Sequence, residues 1–215
     1  MTDDPGGRLH ALAIELAAMA QNGLLYTEDR HDVARYERVR SVSAEVLAVL
    51  TRGRPGADEI SRALAAEAGH ATPKVDVRGA LFDDADRVLL VREARDGRWT
   101  LPGGWADALD TPSQACEREF AEEAGLAVRV DRLAAIHDAR RNGHGGSPWH
   151  IYKLLFLVAR LDDAMPRSGL DGETTGVGFF DCDSPPELST RRCTADQLLM
   201  LRAHHREHRT LPEVD

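Results

Sequence analysis

The sequence contains few cysteines and few lysines. Its three cysteines, Cys116, Cys182 and Cys193, are odd in number, far apart and outside any C-x-x-C pattern. Neither a disulfide framework nor a thiolate metal site is therefore supported. Lys74 and Lys153 are the only lysines. We expect a reduced protein of the cytoplasm.

Long apolar runs and long basic runs are also missing. The first 30 residues lack the basic start and apolar core of a secretion signal. The most apolar stretch, Leu154–Val158, is far too short to cross a bilayer. The formal net charge is −9, from 36 acidic and 27 basic residues. Such a surface offers a polyanion such as nucleic acid little favourable binding energy from counterion release. These features argue against membrane insertion and against nucleic-acid binding.

The N-terminal part of the chain has helical periodicity. A first helix is predicted over residues 9–20 and ends at Asn22-Gly23; its apolar residues at helical spacing are Leu9, Leu12, Leu16 and Met19. Asp32 is the predicted cap of a second helix, and a short third helix is expected over Ala57–Glu67. Such a small helical domain buries little surface. We therefore expect it to pack against the rest of the chain or against a second copy.

The composition changes after residue 69, and strand patterns follow. Val75–Phe82 and Arg87–Arg92 flank Asp83–Asp86, which predicts a hairpin. Further strands are expected at 126–130, 134–137, 150–159 and 175–180, and a closing helix at Thr194–Glu207 with Leu198, Leu199 and Leu201 facing inward. The sequence thus predicts an α/β domain over residues 70–215, preceded by a helical domain over residues 1–69.

One predicted helix of the second domain has well-defined ends. Thr111 is the expected N-cap, Pro112 occupies the first helical position, and Gln114 can complete a capping box. Gly125 supplies the expected stop. The side chains of Cys116 and Phe120, four residues apart, are expected on the core side of this helix.

The other side of this helix carries a cluster of acids. At about 100° per residue, Glu119 lies between Glu122 and Glu123 on one face. Like charges at this spacing repel and destabilise a helix, whereas clustered carboxylate oxygens suit hard divalent cations such as magnesium. A solvated acidic face is the alternative explanation for this spacing alone.

The surrounding residues favour the metal site. Gly104, five residues, Asp110, seven residues and then the segment REFAEEAGL over 118–126 together resemble the box of the Nudix hydrolases. Every fixed position agrees except Asp110, where the family usually carries glutamate. Because this residue generally supports the loop and the arginine, the shorter aspartate affects the expected loop geometry and rate more than the reaction.

The resemblance implies a fold and a set of roles. The expected fold is an α/β/α sandwich around a mixed sheet. Glu119, Glu122 and Glu123 would bind Mg²⁺ or Mn²⁺, and Glu119 would also help to activate water. Arg118 would orient the glutamates, and the backbone carbonyl of Gly103 is placed to bind a metal ion.

Residues outside the box are weaker candidates. Glu173 matches a downstream glutamate that often completes the metal site or acts as a base, although it could be an ordinary loop acid. Trp105 could stack on a base, and Lys153 could contact phosphates or simply face outward from its strand. Tyr26 and Arg35 could reach the base or the ribose, or could instead hold helices together.

The flanks resemble a narrower group of the family that acts on X-linked nucleoside diphosphates. The similarity lies in LAAMAQNGLLYTEDRHDVARYERVR near the N-terminus and in ETTGVGFFDCDSPPELSTRRCT near the C-terminus. It implies hydrolysis of NDP-X to a nucleotide and phosphorylated X, with CDP-choline as the favoured substrate and ADP-ribose as the alternative. In this group the N-terminal helices form a homodimer. A non-catalytic ligand-sensing module is the rival interpretation, and cleavage of oxidised nucleoside triphosphates or RNA ends is a third.

Overall fold

The chain divides into two compact units. The structure is a computed structural model, and it describes residues 5–142, 144, 147–169, 172–208 and 211–215. The first unit comprises Met1–Lys74 with Gly145–His150, and the second comprises Val75–His144 with Ile151–Asp215. Among the described residues, no helix combines the length and apolar character needed to cross a membrane.

Three helices build the first unit. They are α1 (Pro5–Tyr26), α2 (Arg30–Leu50) and α3 (Ala57–Ala65). Small residues of α1 and α2 are buried against each other, and larger ones complete the cluster, which comprises Ala13, Ala17, Ala44, Leu47, Ala48, Ile60 and Leu64. In this buried region, the Ser43 hydroxyl donates a 2.7 Å hydrogen bond to the Ala13 carbonyl. Small side chains thus allow α1 and α2 to approach closely.

The ends of these helices differ from the prediction. Helix α1 continues through Gly23 to Tyr26, because Gly23 makes room for the ring of Tyr36: a Cβ on Gly23 would lie 2.4 Å from it. The cap of α2 is Asp29, whose carboxylate accepts hydrogen bonds from the backbone of the first turn, so the prediction of Asp32 as cap is wrong. Helix α3 lies where it was expected.

The apolar residues that indicated α1 are not its buried residues. Ala13, Ile14, Ala17 and Ala20 face the core of the unit. Leu9, Leu12, Leu16 and Met19 instead remain between 37% and 58% exposed. The first helix therefore presents an apolar stripe on its outer surface, which we call the α1 stripe.

The second unit contains two sheets. Its strands are β1 (Lys74–Ala80), β2 (Val88–Glu93), β3 (Trp99–Thr100), β4 (Val128–Asp138), β5 (Ile151–Arg160), β6 (Thr174–Phe180) and β7 (Glu213–Val214). The larger sheet has the order β1-β5-β4-β7, with β4 antiparallel to β5 and parallel to β7. The smaller sheet has the order β3-β2-β6 and is antiparallel. The larger sheet is thus mixed.

The predicted hairpin over residues 75–92 is largely wrong. The turn at Asp83–Asp86 forms, and Phe82 and Val88 make an isolated bridge next to it. Beyond that bridge the two strands separate, since β1 joins the larger sheet and β2 joins the smaller one. The two strands predicted at 126–130 and 134–137 are one strand, β4, interrupted by register shifts.

Two helices pack against these sheets through separate clusters. Helix α4 (Pro112–Ala124) places Ala115, Cys116 and Phe120 in a cluster with residues of β1, β2 and β4. Helix α5 (Ala195–Arg206) contributes Leu198 and Leu201 to a second cluster. The third leucine predicted to face inward, Leu199, is 38% exposed, so that part of the prediction is wrong.

Candidate active site

The ends of helix α4 are set by capping residues close in the sequence. The Thr111 hydroxyl accepts a hydrogen bond from the Gln114 backbone, and the Gln114 side chain accepts one from the Thr111 backbone, which completes the predicted capping box. Pro112 lies in the first turn, where its missing N–H costs nothing. Gly125 ends the helix with a positive φ of 63°, which favours glycine.

The buried face of α4 fixes the direction of its acidic face. Cys116 and Phe120 are fully buried, and the Phe120 ring packs over Gly79 of β1, where a Cβ would lie 2.4 Å from the ring. The helix therefore cannot rotate without disturbing the core. Its three clustered glutamates differ in exposure: Glu122 is 46% exposed, Glu119 is 13% exposed, and Glu123 is 3% exposed.

Arg118 contacts the carboxylates of both Glu119 and Glu122, the two more exposed glutamates of the cluster. Its guanidinium lies 3.0 Å from Glu119 Oε1 and 3.0 Å from Glu122 Oε2. The same group lies 3.2 Å from Asp110 and 3.5 Å from Asp107, both in the preceding loop. The aspartate at position 110 therefore reaches the arginine despite its shorter side chain. Arg118 contacts the loop and both glutamates at once.

A tight loop containing Gly103 and Gly104 lies against Glu123, the most buried glutamate of the cluster. Gly103 has a φ of 141°, and a Cβ there would lie 2.0 Å from the Val77 carbonyl, so only glycine fits. Its N–H donates a 2.9 Å hydrogen bond to Glu123 Oε2. Gly104 follows, and a Cβ on it would lie 2.8 Å from Glu119 Oε1. The two glycines thus let backbone approach two of the carboxylates.

Burial changes the acidity of these carboxylates. Burial raises the pKa of Glu123 to about 8, and the negative charges of Glu119 and Glu93 act in the same direction. The charge of Arg78 and the hydrogen bond from the Gly103 N–H lower this pKa but do not outweigh burial. Burial also raises the pKa of Glu119, against the lowering effect of Arg118 and Arg78. A carboxylate must be ionised to bind a metal ion, so binding would displace a proton from Glu123 near neutral pH.

The donor chemistry of the site fits a hard divalent cation. Three carboxylates and a glycine backbone supply oxygen atoms only, which suits magnesium or manganese. Over the described ranges, however, no group of three or more His, Cys, Asp or Glu side chains is arranged to hold a metal ion. In the structure, Arg118 contacts Glu119 and Glu122, and the Gly103 N–H donates to Glu123.

The other predicted site residues of this unit differ in solvent exposure. Trp105 is 46% exposed, and its carbonyl accepts a 3.4 Å bond from Arg118. Glu173 is exposed; the neighbouring Thr174 hydroxyl donates a 3.0 Å bond to the Glu123 carbonyl, which ties this segment to the end of α4. Lys153 is only 2% exposed, and its ammonium group lies 2.7 Å from Asp76.

Tyr26 and Arg35 belong to the helical unit. Tyr26 ends α1 and is 74% exposed. The Arg35 side chain is 76% exposed and lies 2.6 Å from Asp32 on the same helix. Neither residue holds helices together through a buried contact, and their predicted role in binding substrate stays a prediction.

Sequence reasoning missed four charged residues close to the box. Asp76 and Arg78 of β1 form a buried pair at 2.8 Å. Glu93 of β2 is 6% exposed and lies 3.0 Å from Arg192. Burial raises the pKa of Glu93 despite the charges of Arg192 and Arg78. The sequence did hold one signal, because opposite charges two residues apart on a strand share a face, and the segment VDVRGALF is otherwise mainly apolar.

Comparisons with known proteins agree with this geometry. A family model described as the NUDIX domain matches residues 72–209, which is more than half of the chain. A second model, described as the UDP-X-like N-terminal oligomerisation domain, matches residues 8–55. The chain therefore belongs to the Nudix family, and it is a hydrolase acting on phosphoanhydride bonds.

Individual relatives within that family are named as pyrophosphatases or diphosphatases. The chain is 36% identical over 189 residues to YjhB of Bacillus subtilis, provisionally named an ADP-ribose pyrophosphatase, with 88% of each chain covered. A crystal structure of an ADP-ribose pyrophosphatase from Streptococcus suis is 35% identical with a TM-score of 0.60, covering 67% of this chain and all of that one. A UDP-X diphosphatase structure is 28% identical with a TM-score of 0.61, covering 98% and 99%.

These findings confirm the expected family and fold class. The Nudix match covers the mixed-sheet unit, and the second match covers much of the N-terminal helices. The placement of one family model after the other also agrees with the predicted order of a helical segment followed by an α/β domain. The roles assigned to individual residues, and the exact boundary between residues 69 and 70, stay predictions.

Proposed function

We propose that the protein hydrolyses the pyrophosphate bond of a nucleoside diphosphate linked to a group X, in a reaction that needs a divalent metal ion. The products are a nucleoside monophosphate and phosphorylated X. The observation that carries this proposal is the grouping of Glu119, Glu122 and Glu123 on one helix, held by Arg118 and by the glycine loop. Acid clusters of this kind hold the cations used in phosphoryl chemistry.

Each residue has a separate task in the proposed reaction. Glu119, Glu122 and Glu123, together with the Gly103 carbonyl, would hold Mg²⁺ or Mn²⁺. A bound ion of this kind neutralises phosphate charge and makes water more acidic. Arg118 would orient Glu119 and Glu122 through its 3.0 Å contacts with them.

The proton acceptor is the second part of the proposed reaction. Glu119 is the first candidate to take a proton from the attacking water, because burial raises its pKa and so increases its basicity. Glu173 is the second candidate, since it lies next to Thr174, whose hydroxyl bonds the end of α4. Trp105, which is 46% exposed, is the candidate contact for the base. Lys153 was the candidate for the phosphates, but its ammonium group is buried 2.7 Å from Asp76, so we do not propose a phosphate contact for it.

The substrate class is an X-linked nucleoside diphosphate, with CDP-choline and ADP-ribose as the two leading compounds. CDP-choline is favoured by the sequence of the flanking segments. ADP-ribose is favoured by the names of the relatives from Bacillus subtilis and Streptococcus suis. Both compounds contain the same pyrophosphate bridge, so the two possibilities share one site and one mechanism.

A substrate panel tests this proposal. CDP-choline, ADP-ribose, NADH and nucleoside triphosphates are incubated with the protein and Mg²⁺ or Mn²⁺, and monophosphate release is measured. We expect turnover of an X-linked diphosphate that stops when EDTA is added. Glu119→Gln should lower kcat by at least about a thousandfold, because the amide can neither bind the metal ion as an anion nor accept the proton. Wild-type turnover by this folded variant would refute the role of Glu119.

The same panel separates an enzyme from a ligand sensor. A sensor would bind one of these nucleotides and leave it intact with either metal. An enzyme that hydrolyses oxidised nucleoside triphosphates would instead release pyrophosphate from triphosphates and leave CDP-choline and ADP-ribose unchanged. We therefore expect monophosphate from an X-linked diphosphate alone.

We further propose that the helical unit forms a homodimer through the α1 stripe. The stripe places four large apolar side chains, each at least 37% exposed, on one helix of 22 residues. Exposed apolar stripes of this kind are typical of helix–helix interfaces. The family model that matches this region is described as an oligomerisation domain, which supports the same proposal. A cytoplasmic location likewise stays a proposal from the sequence.

Sedimentation velocity tests the dimer. The native chain should sediment as a dimer, and Leu12→Glu should shift it toward a monomer because a carboxylate would be buried without a partner. Leu211→Glu is the matched control, since Leu211 is 82% exposed and lies outside the helical unit. A native monomer at micromolar concentration, or a dimer unaffected by Leu12→Glu, would contradict the proposal.

A further inference from the structure

Three charged side chains are buried together beside the glycine loop. Asp76 and Arg78 lie on β1 and Lys153 lies on β5, and each is at most 5% exposed. Arg78 donates two hydrogen bonds to the Asp76 carboxylate, from Nε at 3.1 Å and from Nη2 at 2.8 Å. Lys153 Nζ lies 2.7 Å from the same carboxylate. We call these three residues the buried ion network.

The charges of this network do not balance. Two cations share one carboxylate, and charges removed from water are costly unless they are fully paired. The charges of Arg78 and Lys153 outweigh the effect of burial and lower the pKa of Asp76 to about 2, so that carboxylate is ionised. Beyond Asp76, the charges of Glu123 and Glu93 also act on Arg78 and favour its charged form.

The third nitrogen of Arg78 reaches the loop that precedes the box. Its Nη1 donates a 3.1 Å hydrogen bond to the Leu101 carbonyl. The backbone of β1 continues the same attachment, with the Gly79 N–H bonded to the Pro102 carbonyl at 3.0 Å and the Val77 N–H bonded to the Gly104 carbonyl at 2.8 Å. The loop is thus held along its length by one strand.

The packing of Gly103 makes this attachment tight. A Cβ on Gly103 would lie 2.9 Å from the Arg78 Cα and 3.0 Å from its Cδ, so the loop rests on the stem of the arginine. From this position the Gly103 N–H holds the Glu123 carboxylate at 2.9 Å. A continuous chain of contacts therefore runs from Lys153 through Asp76, Arg78 and the loop to Glu123.

We propose that Arg78 is a positioning residue of the hydrolytic site, held in place by Asp76 and Lys153. Its fork fixes the Leu101–Gly104 segment, and so fixes the Gly103 N–H that bonds the Glu123 carboxyl group. The Gly103 N–H therefore stays aimed at that carboxylate whether or not a metal ion is bound. This inference rests on the proposed function, since it assigns Arg78 to the same site.

A purely structural role for the network would have a different signature. If Arg78 only stabilised the fold, its replacement would lower the melting temperature and leave the loop and kcat of the folded fraction unchanged. If it positions the loop, the local mobility of Gly103 and kcat change together. The geometry also requires a planar fork, because one ammonium group cannot bond both Asp76 oxygens and the Leu101 carbonyl in the same arrangement.

The experiment compares Arg78→Lys and Arg78→Met with the native full-length chain. Amide hydrogen exchange of Gly103 is measured by NMR in metal-free protein, and kcat and KM are measured with Mg²⁺ on the X-linked diphosphate that the native chain hydrolyses. Arg92→Met is the matched control, because exposed Arg92 also donates to a loop carbonyl, that of Gly97 at 2.8 Å. Asp76→Asn is a milder change that removes the paired charge and keeps Arg78.

We expect both Arg78 variants to exchange the Gly103 amide at least about tenfold faster than the native chain. Their kcat should fall at least about tenfold with KM within about threefold, and Arg92→Met should match the native chain. Native Gly103 exchange and kcat in folded Arg78→Lys would overturn the proposal. Failure of both Arg78→Lys and Asp76→Asn to fold would also overturn it, by making the network a folding element.

The two proposals can fail separately. If the native chain hydrolysed no X-linked diphosphate, the proposed function would be wrong. The Gly103 exchange rates of the Arg78 variants would still decide whether Arg78 fixes the loop, because that measurement needs neither metal nor substrate.

Discussion

The strongest prediction concerns the buried carboxylate of Glu123. Glu123 is 3% exposed, accepts a hydrogen bond from the Gly103 N–H, and has a pKa raised by burial from its usual 4.5 to about 8. Between these two pH values the folded chain binds a proton that the unfolded chain releases. By linkage, the contribution of Glu123 to the stability of the metal-free chain falls as the pH rises from 4.5 to about 8.

The size of this effect follows from the two pKa values. At about 1.36 kcal/mol for each pH unit, the difference corresponds to about 5 kcal/mol above pH 8 and to about 3 kcal/mol at pH 7. Glu123→Gln removes the titration, and its side-chain carbonyl can still accept the Gly103 N–H. The variant should therefore be more stable than the native chain by about 3 kcal/mol at pH 7 without metal.

Urea unfolding in EDTA between pH 5 and pH 9 measures this difference. The gain of Glu123→Gln should be small at pH 5 and should grow with pH until about pH 8. Glu122→Gln is the control, since its carboxylate is 46% exposed and the change should give a difference nearly independent of pH. Equal or lower stability of Glu123→Gln at pH 8, or a gain that does not depend on pH, would refute the raised pKa of this buried carboxyl group.

Two further substitutions test the loop beside α4. Gly104→Ala should lower kcat by about a hundredfold, because its Cβ would lie 2.8 Å from Glu119 Oε1 and displace that carboxylate; steady-state kinetics would show an unchanged kcat if the glycine were not needed. Leu109→Gly should raise the unfolding free energy by about 1 kcal/mol, because Leu109 is fully exposed and has a φ of 79°. Urea unfolding measures this variant beside Leu109→Ala, which keeps a Cβ and should give no gain; equal gains would contradict the role of φ.

Local sequence was sufficient to predict α4. Its cap, first turn and stop are set by Thr111, Pro112 and Gly125, which act on neighbouring backbone groups and need no distant partner. The burial of Cys116 and Phe120 follows from their spacing of four residues. These features together fixed which face carries the glutamates, and so the candidate site was visible in the sequence.

Features that depend on distant partners were not predictable in this way. Gly23 was interpreted as a helix stop, but it lies within α1 because the Tyr36 ring of the next helix packs over it. The side chain of Lys153 could have faced outward from β5, and its burial depends on Asp76, which lies 77 residues away along the chain. The separation of β1 and β2 into different sheets likewise depends on β5 and β6, which come much later in the sequence.

Phosphorus NMR tests the central claim most directly. The native chain is mixed with CDP-choline, ADP-ribose and Mg²⁺, and the pyrophosphate signals are followed with time before EDTA is added. We predict that the pyrophosphate signals of at least one compound are replaced by two monophosphate signals, and that EDTA stops the change. Pyrophosphate signals that persist with active, metal-loaded protein, or cleavage that continues in EDTA, would contradict metal-dependent hydrolysis by the glutamates of α4.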